Sequence, residues 1–332
     1  MLGDMGNPIR ALHVHDAAHV GRNLVETARS MDYPWEMTDI PWYYRRSWTG
    51  LLKHPAARTK PALWDSTLAL QSVRADVVHL HTGGLSTHMR WVRRPWVLHL
   101  HGTDIRTRQY EASWRPKLQY GTANASAVLY ATPDLLPHVL KLRSDPVYMP
   151  ITVRLDETPF WSPVTDRVIF ASRWEKIKGA PEQLDTARRI KAERPGAELL
   201  GIDWGDQTEE ARAAGVTLVP KMSRDDYRTW LASASAVVGQ MTDIYATSEL
   251  EALAAGVPVV SSADHNWYPE LSHLCGRTPA DVAAAAVRVL EDPRQASRRQ
   301  DGPGYIAKVH DAGVGVRTLL ALYSTLTGGD QG

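Results

Sequence analysis

The stretch from Thr242 to Ser262, T-D-I-Y-A-T-S-E-L-E-A-L-A-A-G-V-P-V-V-S-S, reads as a loop, a short helix and a buried strand. A hydroxyl at Thr247 or Ser248 can cap the helix by accepting a backbone N–H. Leu250, Leu253 and Ala254 make its apolar face, and Gly256 suits the left-handed turn that ends it. Val257, Val259 and Val260 are strand formers, with Pro258 near the strand start, where a missing N–H is tolerated. Two acids are set into this frame, Asp243 in the loop and Glu251 in the helix. Free amides and the dipole at a helix start favour phosphate, and a carboxylate just beyond can grip sugar hydroxyls. The local chemistry suits a phosphate-plus-sugar ligand. An amphipathic helix–strand unit with incidental acids is the alternative.

The rest of the chain alternates in the same way. Strands are expected at Ile9–His15, Trp35–Ile40, Asp76–His81, Trp96–His101 and Ala127–Ala131, with helices at Gly21–Met31, Leu63–Val73, Lys117–Ala125 and Leu135–Leu142. Pro146, Pro150, Pro159 and Pro163 mark a linker. The plan then repeats, with strands at Arg167–Ala171, Glu198–Ile202, Val216–Val219 and Ala236–Gly239. Helices are expected at Gly179–Arg194, Thr208–Ala214, Arg224–Ser233 (capped by Ser223), Asp281–Glu291 (stopped by Pro293) and Tyr305–Leu326. Such repetition predicts α/β architecture: two Rossmann-like domains with parallel sheets, facing a cleft. The expected divisions are an N-terminal domain over 1–155, a second over 156–304, and a C-terminal helix over 305–332 crossing back to the first.

Composition narrows the setting. The 332 residues suffice for two domains at roughly 150 residues each. No apolar run approaches the ~18–20 residues of a membrane span, and the start lacks the apolar core of a secretory signal. A single cysteine, Cys275, fits a reducing, cytoplasmic setting. Residues 1–155 carry 19 Lys and Arg against 12 Asp and Glu, a net +7, whereas the remainder is −6. Ten of the thirteen histidines fall in the first half. The two halves face different partners.

Three further constellations carry chemistry. Arg167–Gly179, R-V-I-F-A-S-R-W-E-K-I-K-G, sets Arg173 and Lys178 between a strand and a helix, where two cations could neutralise a diphosphate. Lys176 competes for the lysine role. His13 and His15, His79 and His81, and His99 and His101 each close a predicted strand, and alternation puts each pair on one face. They could bind zinc, or be satisfied by neighbouring backbone. Pro41–Lys60 interleaves Trp42, Tyr43, Tyr44 and Trp48 with Arg45, Arg46 and further cations, suiting stacked bases, a membrane interface or a packed loop. Phosphate-loop and dinucleotide glycine patterns are absent.

Taken in order, Gly21 after the first strand, the H-G-T-D turn at His101–Asp104, R-x4-K-G at Arg173–Gly179 and D-x7-E at Asp243–Glu251 resemble retaining GT-B glycosyltransferases of the family-4 (group 1) kind. The family's usual first Glu is Asp243 here, and Ile244–Ser248 replaces its Gly-Phe-Gly-Leu-Pro run. The resemblance implies a nucleotide-diphosphate-sugar donor on the second domain and an acceptor on the first. It casts His101, Arg173, Lys178 and Asp243 as catalytic. Gly21, Arg173, Lys178, Asp243, Tyr245, Ala246, Thr247, Ser248 and Glu251 would bind the donor, with Glu251 on the ribose. His15, His81, Asp104, Arg45 and Arg46 would face the acceptor. No cofactor or metal is implied. The basic first half points to an anionic acceptor: a lipid at a membrane surface, which would make the protein peripheral there, a phosphorylated metabolite, or modified nucleic acid. A sugar-nucleotide epimerase and a silent sugar-nucleotide-binding protein are the other readings.

Overall fold

The computed structural model describes residues 8–41 and 53–328, so Arg45, Arg46 and most of the aromatic–basic stretch lie outside the described residues. The chain divides into two compact units, Met1–Thr152 with Ala312–Gly332, and Val153–Asp311. Each is a parallel sheet with helices.

The first sheet contains β1 (Ala11–Val14), β2 (Glu36–Thr38), β3 (Val77–Leu80), β4 (Trp96–Leu100), β5 (Ala127–Tyr130) and β6 (Val147–Tyr148), in the order β2-β1-β3-β4-β5-β6. Every pairing is parallel. Strands β1, β3, β4 and β5 are buried along their whole length, as expected where both faces are covered. One core gathers Leu12, Val14, Val78, Leu80, Leu98, Leu100 and Val128 with Trp64 and Leu68. Helices Val20–Ser30 and Ala312–Gly328 pack together in this unit. Gly315 permits their close approach: a Cβ there would lie 3.1 Å from Leu24 and 2.8 Å from Thr152.

The second sheet contains β7 (Arg167–Phe170), β8 (Glu198–Ile202), β9 (Thr217–Val219), β10 (Ala236–Val238) and β11 (Val259–Val260), in the order β11-β10-β7-β8-β9, again all parallel. Helices Ala180–Glu193 and Pro279–Glu291 lie against one another and share a core with Val168, Phe170, Val238 and Val260. Ser223 caps Arg224–Leu231 by accepting the Asp226 N–H at 3.2 Å.

Several local expectations change. The helix of the opening stretch runs Thr247–Ala255 after Ala246, so neither Thr247 nor Ser248 is the cap. Pro293 does not simply stop a helix. It begins another, Pro293–Gln300, capped by Asp292, because proline at the first helical position loses no intrahelical bond. The single pattern Tyr305–Leu326 is two helices, Gly302–Val309 and Ala312–Gly328, broken at His310 and Asp311. The Val153 N–H donates to the His310 carbonyl at 2.7 Å, so both unit crossings are pinned side by side. The divisions therefore fall after Thr152 and Asp311, not after 155 and 304.

Helix Gly302–Val309 stays with the second unit because Gly302 lies against helix Thr247–Ala255; a Cβ there would sit 2.6 Å from the Leu253 carbonyl oxygen. Gly302→Ala is expected to lower stability by about 1–3 kcal/mol through overpacking. Gly196→Ala, with nothing within 4 Å of its Cβ, should stay within about 0.5 kcal/mol of wild type. Urea denaturation of the two variants checks the difference.

Candidate functional site

In open parallel sheets ligands gather beyond the carboxyl ends of the strands, where the strand order reverses. In the second unit that point lies between β7, which runs on to β8, and β10. The loops that follow these two strands are fastened to each other. Lys178 Nζ donates to Gln240 Oε1 at 2.9 Å, and the Met241 N–H donates to the Lys178 carbonyl at 3.2 Å. Gly179, at φ +70°, makes the approach possible, since a Cβ would come 2.4 Å from the Met241 carbonyl oxygen. Arg173, in the same loop, pairs with Glu175 at 3.3 Å and lies 4.9 Å over the Trp204 ring, which Lys221 also covers. Lys176, the competitor for the lysine role, is exposed.

The helix start is organised by a residue absent from the expected site. Glu249 is buried, and its carboxylate accepts the Gln240 N–H at 2.5 Å and the Ala246 N–H at 3.1 Å. Burial raises its carboxyl pKa, opposed by these amides and by Lys178. Alanine has no capping atom, and Glu249 supplies only the reciprocal half of a capping box, accepting the N–H of Ala246 itself. Ser248 meets the Tyr227 hydroxyl, which donates to the Ala171 carbonyl at 2.8 Å, tying the helix start to the loop after β7. Glu251 accepts from Arg224 at 2.9 Å.

The expected donor residues thus separate into groups. Lys178, Ala246 and Ser248 are drawn together through Gln240, Glu249 and Tyr227, and Thr247 opens the same helix. Asp243 is not part of this group: exposed and at φ +59°, it pairs with Arg277, which also holds Asp264 at 3.2 Å. Tyr245 is buried, edge-on to Tyr268, with its hydroxyl 3.3 Å from His273. It is a core residue. Arg224 and Tyr227 escaped the sequence reading, although their i,i+3 spacing at a capped helix start does put them on one face.

In the first unit the reversal lies between β1 and β3. Here His13, His79, His81 and His99 are fully buried, and His101 is partly so. His13 Nδ1 faces His81 Nε2 at 2.9 Å, and His81 Nδ1 faces His101 Nε2 at 3.1 Å. The ring centroids of those pairs are 5.2 and 5.3 Å apart, so the three rings lie nearly end to end. A second row stacks on them, with His79 Nε2 3.3 Å from His99 Nδ1 and His79 Nδ1 bonded to the Tyr323 hydroxyl. Gly21, expected at the donor, is instead where helix Val20–Ser30 passes this row; a Cβ would lie 3.1 Å from the His81 ring. Asp104 is buried and accepts three backbone N–H groups, from Gly83, Gly102 and Ile105. It holds the H-G-T-D turn rather than reaching outward. His15 follows β1 at φ +66°.

His13, His79 and His81, or His81, His99 and His101, bring ring nitrogens within 4.8 Å of one another. An imidazole binds a metal in its own plane. The His79 and His81 rings are stacked at 4.4 Å and only 6° from parallel, so they cannot aim at one ion without turning. Nitrogens facing at 2.9 Å leave room for a proton, not for an ion about 2.0–2.1 Å from each.

Burial holds all five imidazoles neutral, with His13 and His99 lowered to about 3 and the other three well below 6.5. A depressed folded-state pKa adds stability that is complete above the unfolded value of 6.5 and is lost as pH falls below it. Each histidine contributes up to about 1.4 kcal/mol per pH unit, or roughly 7 for five. Stability should change by less than about 1 kcal/mol from pH 8 to 7 and collapse within about two units below 6.5. Urea midpoints against pH check this; a midpoint unchanged to pH 5 would contradict the neutral cluster.

No family model and no curated protein matches the chain. Solved structures do. HepE of Anabaena, in complex with UDP and glucose, is 12% identical with a TM-score of 0.70 over 96% of this chain and 100% of its own. Sucrose-phosphate synthase of Thermosynechococcus elongatus is 16% identical, TM-score 0.69, over 96% and 99%. A UDP-N-acetylglucosamine 2-epimerase candidate from Listeria monocytogenes is 16% identical, TM-score 0.61, over 98% and 98%. The fold is GT-B.

Proposed function

We propose that this protein is a retaining glycosyltransferase that moves a sugar from a nucleotide-diphosphate sugar to an acceptor hydroxyl. The observation that carries the reading is the fastening of Lys178 to Gln240 at the strand-order reversal, beside the start of helix Thr247–Ala255. It sets a cation and a helix start together, which suits a diphosphate. Glu251, held by Arg224, is assigned to the ribose. Asp243 is assigned to the donor sugar, with Arg277 sharing its carboxylate. HepE, of the same fold, was seen with UDP-glucose, so a UDP-sugar is the donor to test first.

As the diphosphate leaves, its charge grows, and Arg173 and Lys178 stabilise that charge more than they stabilise bound donor. Attack from the same face, with the leaving phosphate taking the acceptor's proton, needs no pair of catalytic carboxylates. Arg173→Ala and Lys178→Ala should each lower turnover about 100- to 1,000-fold, with a smaller change in donor affinity. Stopped assays on labelled UDP-glucose and UDP-N-acetylglucosamine read the outcome. Full turnover in either variant removes that residue from the site. Epimerised donor would favour the second reading, supported by the likeness to the Listeria epimerase candidate. Donor bound but unchanged would mark a silent binding protein.

The acceptor is assigned to the first unit and, from the +7 of residues 1–155, to the anionic class. A duplex acceptor should show a log–log salt slope of about −0.9 per neutralised phosphate, and a small anion a shallower one. Kinetics that stay flat from low to high salt would make the acceptor neutral.

A further inference from the structure

The rings of His13, His79 and His81 do not converge on an ion, and the nitrogens of the buried histidines are paired in an order that can be followed from end to end. His99 Nδ1 meets His79 Nε2, His79 Nδ1 meets the Tyr323 hydroxyl, and that hydroxyl meets His13 Nε2 at 3.4 Å. His13 Nδ1 then meets His81 Nε2, and His81 Nδ1 meets His101 Nε2. Each member is neutral, so each carries one proton to give and one site to accept.

That count restricts the whole series. Six groups bring six protons, and the five contacts between them consume five. Unless the Tyr323 oxygen accepts from both neighbours, the sixth sits at one end, either on the outer nitrogen of His99 or on His101 Nδ1. Neither outer nitrogen makes a hydrogen bond among the described residues. The Met149 backbone nonetheless raises the His99 pKa against the effect of burial, as an accepting carbonyl does, which favours the sixth proton on His99. The Tyr323 contacts agree: the shorter, 2.5 Å to His79, suits the hydroxyl as donor, and the longer, 3.4 Å, suits an N–H of His13.

We propose that His99, His79, Tyr323, His13, His81 and His101 form one hydrogen-bonded row of a single polarity, which fixes His101 as the Nε2–H tautomer and presents its Nδ1 lone pair to a ligand hydroxyl. His13, His79, His81, His99 and Tyr323 are positioning residues in this scheme. They lock the tautomer of a ring at the carboxyl end of β4, where parallel sheets place ligands. The ligand hydroxyl rests on the glycosyl-transfer reading; the tautomer does not, so the two fail separately.

The test is long-range 1H–15N correlation of ring nitrogens in the full chain labelled at histidine, at pH 7.5 without added metal. The expected spectrum shows His101 with a pyrrole-type Nε2 and a pyridine-type Nδ1. Tyr323→Phe, which keeps the ring and removes the hydroxyl, should leave the His13–His81–His101 segment averaged between tautomers. Averaged nitrogens in the wild type, or a proton on His101 Nδ1, would overturn the proposal even if the variant fails to fold. So would a folded Tyr323→Phe in which His101 keeps its single tautomer. Stoichiometric zinc that shifts the nitrogens of either histidine triad would make the cluster a metal site instead.

Discussion

Parallel pairing is the constraint from which the rest of this molecule follows. In both sheets every strand runs the same way as its neighbour, so all carboxyl ends lie along one edge and all connections must cross a face. The crossings bury both faces, which is why the strands read A-L-H-V, V-V-H-L and W-V-L-H-L with no alternation of polar residues toward solvent. Histidine is the one polar residue these strands admit, and register puts His13 beside His79. Polar chemistry that the faces exclude collects in the loops beyond the strand ends. There Glu249 in one unit and Asp104 in the other are held by backbone N–H groups of the loops, Lys178 by the Gln240 side chain and His101 by the His81 ring.

At the second site the buried Glu249 carboxylate decides the local shape. It accepts two backbone N–H groups, one on each side of the loop 241–245, and so closes that loop onto the helix start. Burying a carboxylate costs free energy unless its oxygens are hydrogen-bonded, and the two amides with Lys178 nearby supply the compensation. Where glycines would otherwise let the backbone bend, the loop uses other means. Asp243 itself takes a left-handed conformation, and the Tyr245 N–H donates to the Tyr268 hydroxyl. The loop is held by side chains packed beneath it.

The architecture was legible because its signals are local and repeated: apolar runs of strand length, each followed by a helical period. The order of motifs along the chain also pointed to GT-B. The site was legible only in part. Lys178 and Glu251 could be located from their distance to a strand end and a helix start. Which acid does what could not, because Asp243, Glu249 and Glu251 differ by burial and partners, and those are set by Arg277, Gln240 and Arg224 from distant positions. Gly21 illustrates the same limit. The resemblance put it at the donor, but the atoms it leaves room for belong to Met37 and to His81, sixty residues on. Pro293 was misread for a different reason, since proline both ends one helix and suits the first turn of the next.

The crossing of the last helix has a further consequence for how the first unit is built. Tyr323 is fully buried and comes from a segment separated from His79 by 244 positions and from His13 by 310. Without it, the two rows of imidazoles have no hydroxyl to join them, and two buried ring nitrogens lose their partner at a cost of about 1–3 kcal/mol each. Trp35 stacks on His13 at 5.0 Å and meets Tyr323 at 5.3 Å, so the same phenol also closes the apolar side of the cluster. Residues 8–152 therefore contain the sheet but not the group that completes its interior. The polar interior and the return of the chain are one structural problem: neutral histidines can stay buried in this sheet because the final helix brings the hydroxyl that satisfies them.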